Sequence, residues 1–236
     1  MRHGDRHNPI GGHDAVALGT TDGARRFGRV LLASRSPRRR ELLDSHGYDF
    51  EARHPGIDDS VLSPGRNPPP NWVTSLAHLK ALAGLEYLRE SGRVGEFAFV
   101  IGADTTCVLD GQVIGTPDRV QHAEHILRSF RANSHAVVTG VSIIRTADGS
   151  RTLFADQALV TWGDVSDRDI REYLDSGLWR GKAGAYNLDD RISARWPITF
   201  DGDAATITGL PMGMLARVLS RLTSPDTASP ASTPAA

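Results

Sequence analysis

The stretch from residue 97 to residue 114, FAFVIGADTTCVLDGQVI, constrains the fold more than any other part of the chain. Residues 97–101 form a continuous apolar run, which is typical of a buried strand. The Asp110-Gly111 pair that follows predicts a type I′ hairpin joining 105–109 to 112–114. Because a tight hairpin makes its two strands antiparallel, the sheet of this chain must contain antiparallel pairs.

Strand-like and helix-like segments alternate along the rest of the sequence. This alternation favours strand–helix–strand units with parallel pairing, whereas the hairpin requires antiparallel pairing. We therefore expect an α/β fold with a mixed β-sheet flanked by helices. Strands are predicted over 29–34, 135–145 and 153–163, and helices over 37–46, 72–92, 120–130, 166–177 and 209–222.

The length of 236 residues suits one large domain or two small lobes that share a core. Residues 1–27 are polar and include three histidines, and we expect a flexible N-terminal extension there. The end of the chain, TSPDTASPASTPAA, is rich in Pro, Ser, Thr and Ala, which predicts a disordered tail over 224–236. The folded domain is then predicted to cover 28–223.

Composition disfavours several classes of protein. The net charge is −1, so a general nucleic-acid binder is disfavoured and any anion site must be local. Cys107 is the one cysteine, which excludes an internal disulfide and favours a reducing, cytoplasmic location; we interpret it as a buried thiol. No apolar run approaches the length of a membrane span, and the first residues lack the apolar core of a signal peptide. We expect neither a nucleic-acid nor a membrane partner.

Three consecutive arginines follow Ser36-Pro37 directly after the first predicted strand. Ser36 is a good helix N-cap and Pro37 suits the first helical position, so the arginines fall in the first turn. Cations there oppose the helix dipole at a cost of roughly 0.3–1 kcal/mol each. A bound anion would reverse this cost, because a helix N-terminus with arginines is a strong phosphate site. The alternative is a solvated basic face, to which we assign Arg40.

Two side chains later in the sequence stand out for their unfavourable surroundings. Asp104 lies between two strand-like runs, so its carboxylate must be satisfied by hydrogen bonds, a cation or a metal. Lys80 falls inside the apolar stripe of the helix predicted over 72–92, where it either reaches the rim or points into a cleft. The glycine-punctuated segment LWRGKAGAYNLDDR, residues 178–191, is typical of a ligand-facing loop.

Taken in order, eight short motifs resemble the Maf family of nucleoside triphosphate pyrophosphatases over about residues 30–222. The resemblance implies a two-lobed α/β fold with a deep central cleft, as in Maf and ITPase-like proteins, usually as a homodimer. It also implies hydrolysis of the α–β phosphoanhydride bond of nucleotides, with Mg²⁺ or Mn²⁺ as the divalent metal, in the removal of non-canonical or surplus nucleotides. The motifs are LLASRSPRR, IDDS, LAHLKA, VIGADTTCVLDGQVIGTP, HAVVTGV, SDRDIREYLDSG, GKAGAY and TGLP.

Site residues follow from the same resemblance. Asp104 matches the aspartate that acts as general base, and Lys80 matches a catalytic cleft lysine. The metal is expected on Asp58, Asp59 and Asp104. The residues expected to bind substrate are Ser34, Ser36, Arg38, Arg39, Thr116, Asp189 and Arg191.

The chain departs from the family pattern at three places. Thr116 stands where the family's Gly-Lys-Pro has lysine, and Asp59 stands where glutamate is common. After the GAY segment, the run Asn187-Leu188-Asp189-Asp190-Arg191 replaces the glutamine and Gly-Arg of the pyrimidine-nucleotide branch. Together the changes at 116 and 189 predict a cleft short of up to two positive charges, and the preferred nucleobase stays open.

Two other functions remain open from the sequence. A non-catalytic regulator of cell division would use the same cleft to bind nucleotide, and the loss of lysine at 116 favours it. An enzyme of another type, such as a phosphatase, would also need a phosphate site. Retention of Asp104, Lys80 and Arg38-Arg39 favours catalysis over a purely regulatory role, and the pyrophosphatase is the leading hypothesis.

Overall fold

A computed structural model describes residues 27–59 and 61–224. Its seven strands form one sheet in the order β2-β1-β3-β5-β6-β7, with β4 paired to β3 alone. β1 is parallel to β2 and β3, and the remaining pairs are antiparallel, which confirms the predicted mixed α/β fold. The strands are Val30–Ala33 (β1), Phe50–Arg53 (β2), Phe99–Leu109 (β3), Gln112–Ile114 (β4), Ser134–Arg145 (β5), Arg151–Trp162 (β6) and Ile198–Asp201 (β7).

Helices cover both faces of this sheet. None in the described part of the chain is long and apolar enough to cross a membrane. They are Pro37–Ser45 (α1), Pro69–Glu90 (α2), Val120–Phe130 (α3), Asp167–Asp175 (α4), Leu188–Ser193 (α5), Ala204–Thr208 (α6) and Met212–Thr223 (α7).

Local sequence signals are confirmed where one or two residues set the backbone. Ser36 caps α1, since its Oγ accepts the Arg39 N–H at 3.4 Å. Asp110 and Gly111 have φ values of 49° and 75°, as a type I′ turn requires. Ser166 caps α4 by accepting the Asp169 N–H at 3.1 Å.

Several element boundaries differ from prediction, among them those at β3 and α2. β3 runs unbroken over 99–109, so Asp104 lies inside a strand and not in a break between two strands. The β5 ladder explains this continuity, because it pairs every residue from Phe99 to Val108. α2 begins three residues earlier than predicted: Pro69 and Pro70 occupy its first turn, where a missing N–H loses no helical hydrogen bond. The sequence did not predict β7, α5 or α6.

The sheet buries apolar side chains on both faces, as strand alternation requires. On one face Leu31 and Val100 pack with Leu85 of α2. On the other face Leu32 and Ile101 join a cluster with residues of α1 and α7. A third cluster, around α3 and α4, includes Cys107 and two fully buried tryptophans.

Two glycines let α2 lie directly on the sheet. A Cβ on Gly102 of β3 would lie 2.1 Å from the carbonyl oxygen of Ala77, and one on Gly140 of β5 would lie 2.5 Å from the Thr74 nitrogen. Both distances are far below van der Waals contact, so the helix backbone occupies the space that side chains would fill. This close approach sets the position of α2 and of the residues that it carries.

The domain limits and the two-lobed division stay predictions. Phe27, which the predicted domain left out, is buried against Tyr48. The predicted flexible extension over 1–26 and the predicted disordered tail over 225–236 lie outside the described residues.

Substituting Gly140 tests the seating of α2. Gly140→Ala places a methyl group against helix backbone, so we expect a loss of about 3 kcal/mol in the free energy of unfolding, the upper end for overpacking. Gly95→Ala is the control, because a Cβ there has no atom within 4 Å; we expect a change within about 0.5 kcal/mol. Urea denaturation measures both, and equal stabilities for the two variants would contradict the role of Gly140.

Candidate active site

A cleft of about 780 Å³ opens at the carboxyl ends of β1 and β2. Strand β1 lies between β2 and β3 and runs parallel to both. In α/β sheets, ligands bind at the carboxyl ends of strands where the connections lead to neighbours on opposite sides, as they do at β1. Four parts of the chain contribute most of the walls of the cleft: helix α1, strand β3, the segment that follows β2 and the segment that precedes α5. The lining residues include Ser34, Ser36, Arg38, Arg39, Asp59, Lys80, Asp104, Thr105, Thr116, Arg180, Lys182 and Tyr186.

Lys80 joins the two lining carboxylates. Its Nζ lies 2.6 Å from Asp104 Oδ1 and 2.6 Å from Asp59 Oδ2. The Lys80 side chain is 14% exposed and that of Asp104 is 15% exposed, so this ion pair is largely shielded from water. The predicted lysine inside the apolar stripe therefore points into the cleft.

Burial dominates the acid–base behaviour of Asp104. Desolvation raises the pKa of its carboxyl, and the charges of Lys80 and Arg39 oppose the rise without cancelling it. A carboxyl with a raised pKa holds protons more tightly than a surface aspartate and is the stronger base once ionised.

Ser34 is prepared to donate a hydrogen bond into the cleft. Its Oγ accepts the Ser36 N–H at 3.2 Å and an Arg39 Nη1–H at 3.2 Å. A hydroxyl has two lone pairs and one hydrogen. Because both lone pairs are used, the hydroxyl hydrogen is left for an incoming oxygen.

The structure brings most of the predicted site residues together, although Asp58, Asp189 and Arg191 lie outside the cleft lining. Asp58 and Asp189 are exposed. Arg191 is buried, with its guanidinium 4.0 Å from the ring centre of Tyr173 and 5.0 Å from that of Trp196. Helix α5 explains this placement: Leu188 and Arg191, three residues apart, share its buried face, and Asp189 turns to solvent.

Three lining cations were missed by the sequence analysis: Arg35, Arg180 and Lys182. Arg180 and Lys182 both face the cleft, and Lys182 Nζ lies 3.0 Å from Asp190 Oδ2. The lining thus holds six Lys or Arg side chains (35, 38, 39, 80, 180 and 182) against two Asp. The half of the predicted charge shortage that rested on Asp189 is wrong, because Asp189 does not line the cleft; the half that rests on Thr116, which does line it, stays a prediction. For Arg180 and Lys182, the available signal was their place in the glycine-rich loop.

Part of the cleft lining is apolar. Val137, Leu188, Ile207 and Cys107 line it together with Tyr186. Burial raises the pKa of the Cys107 thiol to about 12, which agrees with its interpretation as an unreactive buried thiol. The Tyr186 hydroxyl lies 2.8 Å from Nε2 of His135, whose pKa burial lowers to about 3. This part therefore presents a neutral surface.

The cleft lining offers two carboxylates, those of Asp59 and Asp104, as ligands for a hard divalent cation. The described residues contain no group of three or more His, Cys, Asp or Glu side chains arranged to hold a metal. Asp59 and Asp104 nevertheless contact one ammonium nitrogen, so their oxygens lie close enough to share a cation. Mg²⁺ is commonly bound by one or two carboxylates, with water and substrate phosphates completing its shell.

Asp104→Asn tests the cost of this buried carboxyl. Since its pKa in the folded state is raised, its contribution to stability is present below the unfolded pKa and is lost as pH rises through the folded pKa. The melting temperature of Asp104→Asn relative to the native chain should therefore be higher at pH 7.5 than at pH 4. Lys80 keeps Asp59 as a partner in this variant.

Calorimetry at the two pH values measures the difference. Asp59→Asn removes the more exposed partner of Lys80, and we expect no such gain in that control. A melting temperature for Asp104→Asn that falls relative to the native chain as pH rises would contradict the desolvation account.

Comparison with known proteins agrees with the cleft's chemistry. The sequence profile of the family described as Maf-like protein matches residues 29–222. A protein of Pelotomaculum thermopropionicum named dTTP/UTP pyrophosphatase is 33% identical over 192 residues, which cover 81% of this chain and 95% of the relative. One of Salinibacter ruber with the same name is 36% identical over 190 residues, covering 80% of this chain and 89% of the relative. The chain therefore belongs to the Maf-like family.

Proposed function

We propose that this hydrolase of phosphoanhydride bonds cleaves nucleoside triphosphates between the α- and β-phosphates, releasing a nucleoside monophosphate and pyrophosphate. The observation that supports it best is the charge of the cleft. Six basic side chains face two acidic ones there, a formal excess of four positive charges. A triphosphate brings roughly four negative charges near neutral pH, since each phosphate group carries one to two.

Asp104 is proposed as the general base that takes a proton from the attacking water. Its raised pKa suits this role, because a carboxylate whose pKa is raised is a stronger proton acceptor than a surface aspartate. Lys80, now between Asp104 and Asp59, would hold the base in place and offset charge on the phosphates. The leaving group is pyrophosphate, whose charge the surrounding cations stabilise.

The N-terminus of α1 supplies uncharged donors for the phosphates. Ser34 has a hydroxyl hydrogen to give, and the N-terminus of α1 presents the positive end of its helix dipole, which attracts anions. Arg38 lines the cleft beside them and makes no ion pair with a described carboxylate. We propose these groups as the phosphate-binding wall.

Asp59 and Asp104 would hold a divalent metal, Mg²⁺ or Mn²⁺. When bound, the metal would neutralise phosphate charge and polarise the bond to be broken. Asp58 was also expected among the ligands; its exposed position outside the cleft lining does not support this.

The relatives' names make dTTP and UTP the first substrates to propose. The neutral part of the cleft lining, with Tyr186 and Leu188, would accept the base, and the Asn187 amide can hydrogen-bond to its edge. The homodimer, the cytoplasmic location and the role in removing unwanted nucleotides are further proposals that the resemblance supports.

A nucleotide panel tests the reaction. We expect dTTP and UTP with Mg²⁺ or Mn²⁺ to yield pyrophosphate and the monophosphate, with ATP and GTP as comparison substrates. Release of orthophosphate would support a phosphatase. Binding without turnover, with any metal, would support the regulator.

Arg38→Gln tests the phosphate-binding wall. A hydrogen bond to a charged group is worth about 1.5–3 kcal/mol, so we expect KM for the best triphosphate to rise about tenfold or more. Arg40→Gln, in the same turn but outside the cleft lining, is the matched control and should leave KM unchanged. Steady-state kinetics measures both, and equal KM values for the two variants would count against Arg38.

A further inference from the structure

Three acceptors from three segments of the chain hold the guanidinium of Arg39. Nε donates to the carbonyl oxygen of Gly209 at 2.8 Å, and Nη1 donates to Ser34 Oγ at 3.2 Å. Nη2 donates to Thr105 Oγ1 at 3.0 Å. A guanidinium has five N–H donors, so one on each terminal nitrogen is left for an anion. Arg39 lines the cleft, where such an anion would lie.

The hydrogen bonds behind Arg39 run in one direction. Thr139 Oγ1 donates its single hydrogen to the carbonyl oxygen of Thr206 at 2.7 Å, because a carbonyl can only accept. Thr105 Oγ1, 2.8 Å from Thr139 Oγ1, must therefore be the donor between the two hydroxyls. With its hydrogen committed to Thr139, Thr105 presents only lone pairs to Arg39.

We propose that Thr105 and Thr139 are positioning residues for substrate binding: their one-way chain of hydroxyls keeps an acceptor aimed at Arg39 and so fixes its two remaining donors toward the phosphates. The proposal rests on the proposed function for the identity of the substrate. The hydrogen bonds themselves would orient Arg39 in the same way toward any polyphosphate bound in the cleft.

Rigid surroundings make the chain effective. The Thr206 hydroxyl donates to the Asp156 carboxylate on β6, so the carbonyl at the end of the chain belongs to an anchored helix. Gly209 ends that helix with φ 118°, and a Cβ there would lie 3.2 Å from Arg39 Nε. The glycine therefore lets its carbonyl meet the guanidinium without crowding it.

Binding of inorganic tripolyphosphate, measured by titration calorimetry, tests the proposal without requiring turnover. Thr105→Val keeps the shape but removes the acceptor, and we expect affinity to fall about tenfold. Thr105→Ser keeps the oxygen and should recover most of the affinity. Thr139→Val, one step further along the chain, should weaken binding by a smaller factor.

A double-mutant cycle separates a role through Arg39 from general damage. If Thr105 acts through Arg39, adding Thr105→Val to Arg39→Gln should change affinity by less than about twofold, because the shared contact is already lost. Full additivity of the two losses would overturn the proposal. So would native affinity in Thr105→Val, or a loss in Thr105→Ser equal to that in Thr105→Val.

Failure of this proposal can be distinguished from failure of the proposed function. If the native chain releases pyrophosphate from nucleotides but Thr105→Val binds tripolyphosphate with native affinity, only the positioning role is overturned. If the native chain does not hydrolyse nucleotides, tripolyphosphate binding still decides the positioning role. If the native chain does not bind tripolyphosphate, the positioning role is overturned. If thermal melting shows that Thr105→Val does not fold, Thr139→Val and Thr139→Ser decide the question. The positioning role then requires weaker tripolyphosphate binding in Thr139→Val and recovered binding in Thr139→Ser.

Discussion

The contact of α2 with bare strand backbone fixes the geometry of the cleft. Gly102 and Gly140 leave space that the helix backbone fills, so α2 lies closer to β3 and β5 than side chains would allow. At that separation Lys80 reaches Asp104, two residues along β3 from Gly102, at 2.6 Å. A helix held further away would leave the Asp104 carboxylate buried without its nearest cation.

Burial of Asp104 links stability to chemistry. Removing a carboxylate from water raises its pKa, and two nearby cations offset only part of the cost. The fold retains this unfavourable group where we propose a proton acceptor, and Lys80 and Arg39 reduce the penalty of its burial without removing the rise in pKa. Arg39 shows the reciprocal effect, since burial lowers its pKa and the Asp104 charge raises it. Each charge makes burial of the other tolerable.

Sequence reasoning succeeded where the cause is local. The cap at Ser36 and the turn at Asp110-Gly111 each depend on a few neighbouring residues, and the structure has both. It failed where direction depends on a short helix that periodicity does not reveal. Asp189 and Arg191 belong to a helix of six residues, too short for a periodic pattern, and they turn away from the cleft.

Lys182 and Thr105 show a second reason for incomplete prediction. Lys182 was visible in a loop predicted to face a ligand, but its reach into the cleft depends on the turn at Ala183–Ala185, which packs against β3. The turn is also held by the Gly184 N–H, which donates to the carbonyl oxygen of Gly115 just after β4 at 3.1 Å, a pairing of residues far apart in sequence. Thr105 resembles any strand threonine until Arg39 and Thr139 are placed beside it.

The division of the cleft lining into a charged part and a neutral part orients the proposed substrate. Lys80, Arg38 and the N-terminus of α1 belong to the charged part of the lining, and Tyr186 belongs to the uncharged part, backed by a histidine whose low pKa keeps it uncharged. A nucleotide has the same polarity, with phosphates at one end and a flat, largely apolar base at the other. Because the reversed orientation would bury phosphate charge against Val137 and Ile207, the two parts together favour one direction of binding. Asp104, in the charged part, then lies on the side where the phosphoanhydride bond must be.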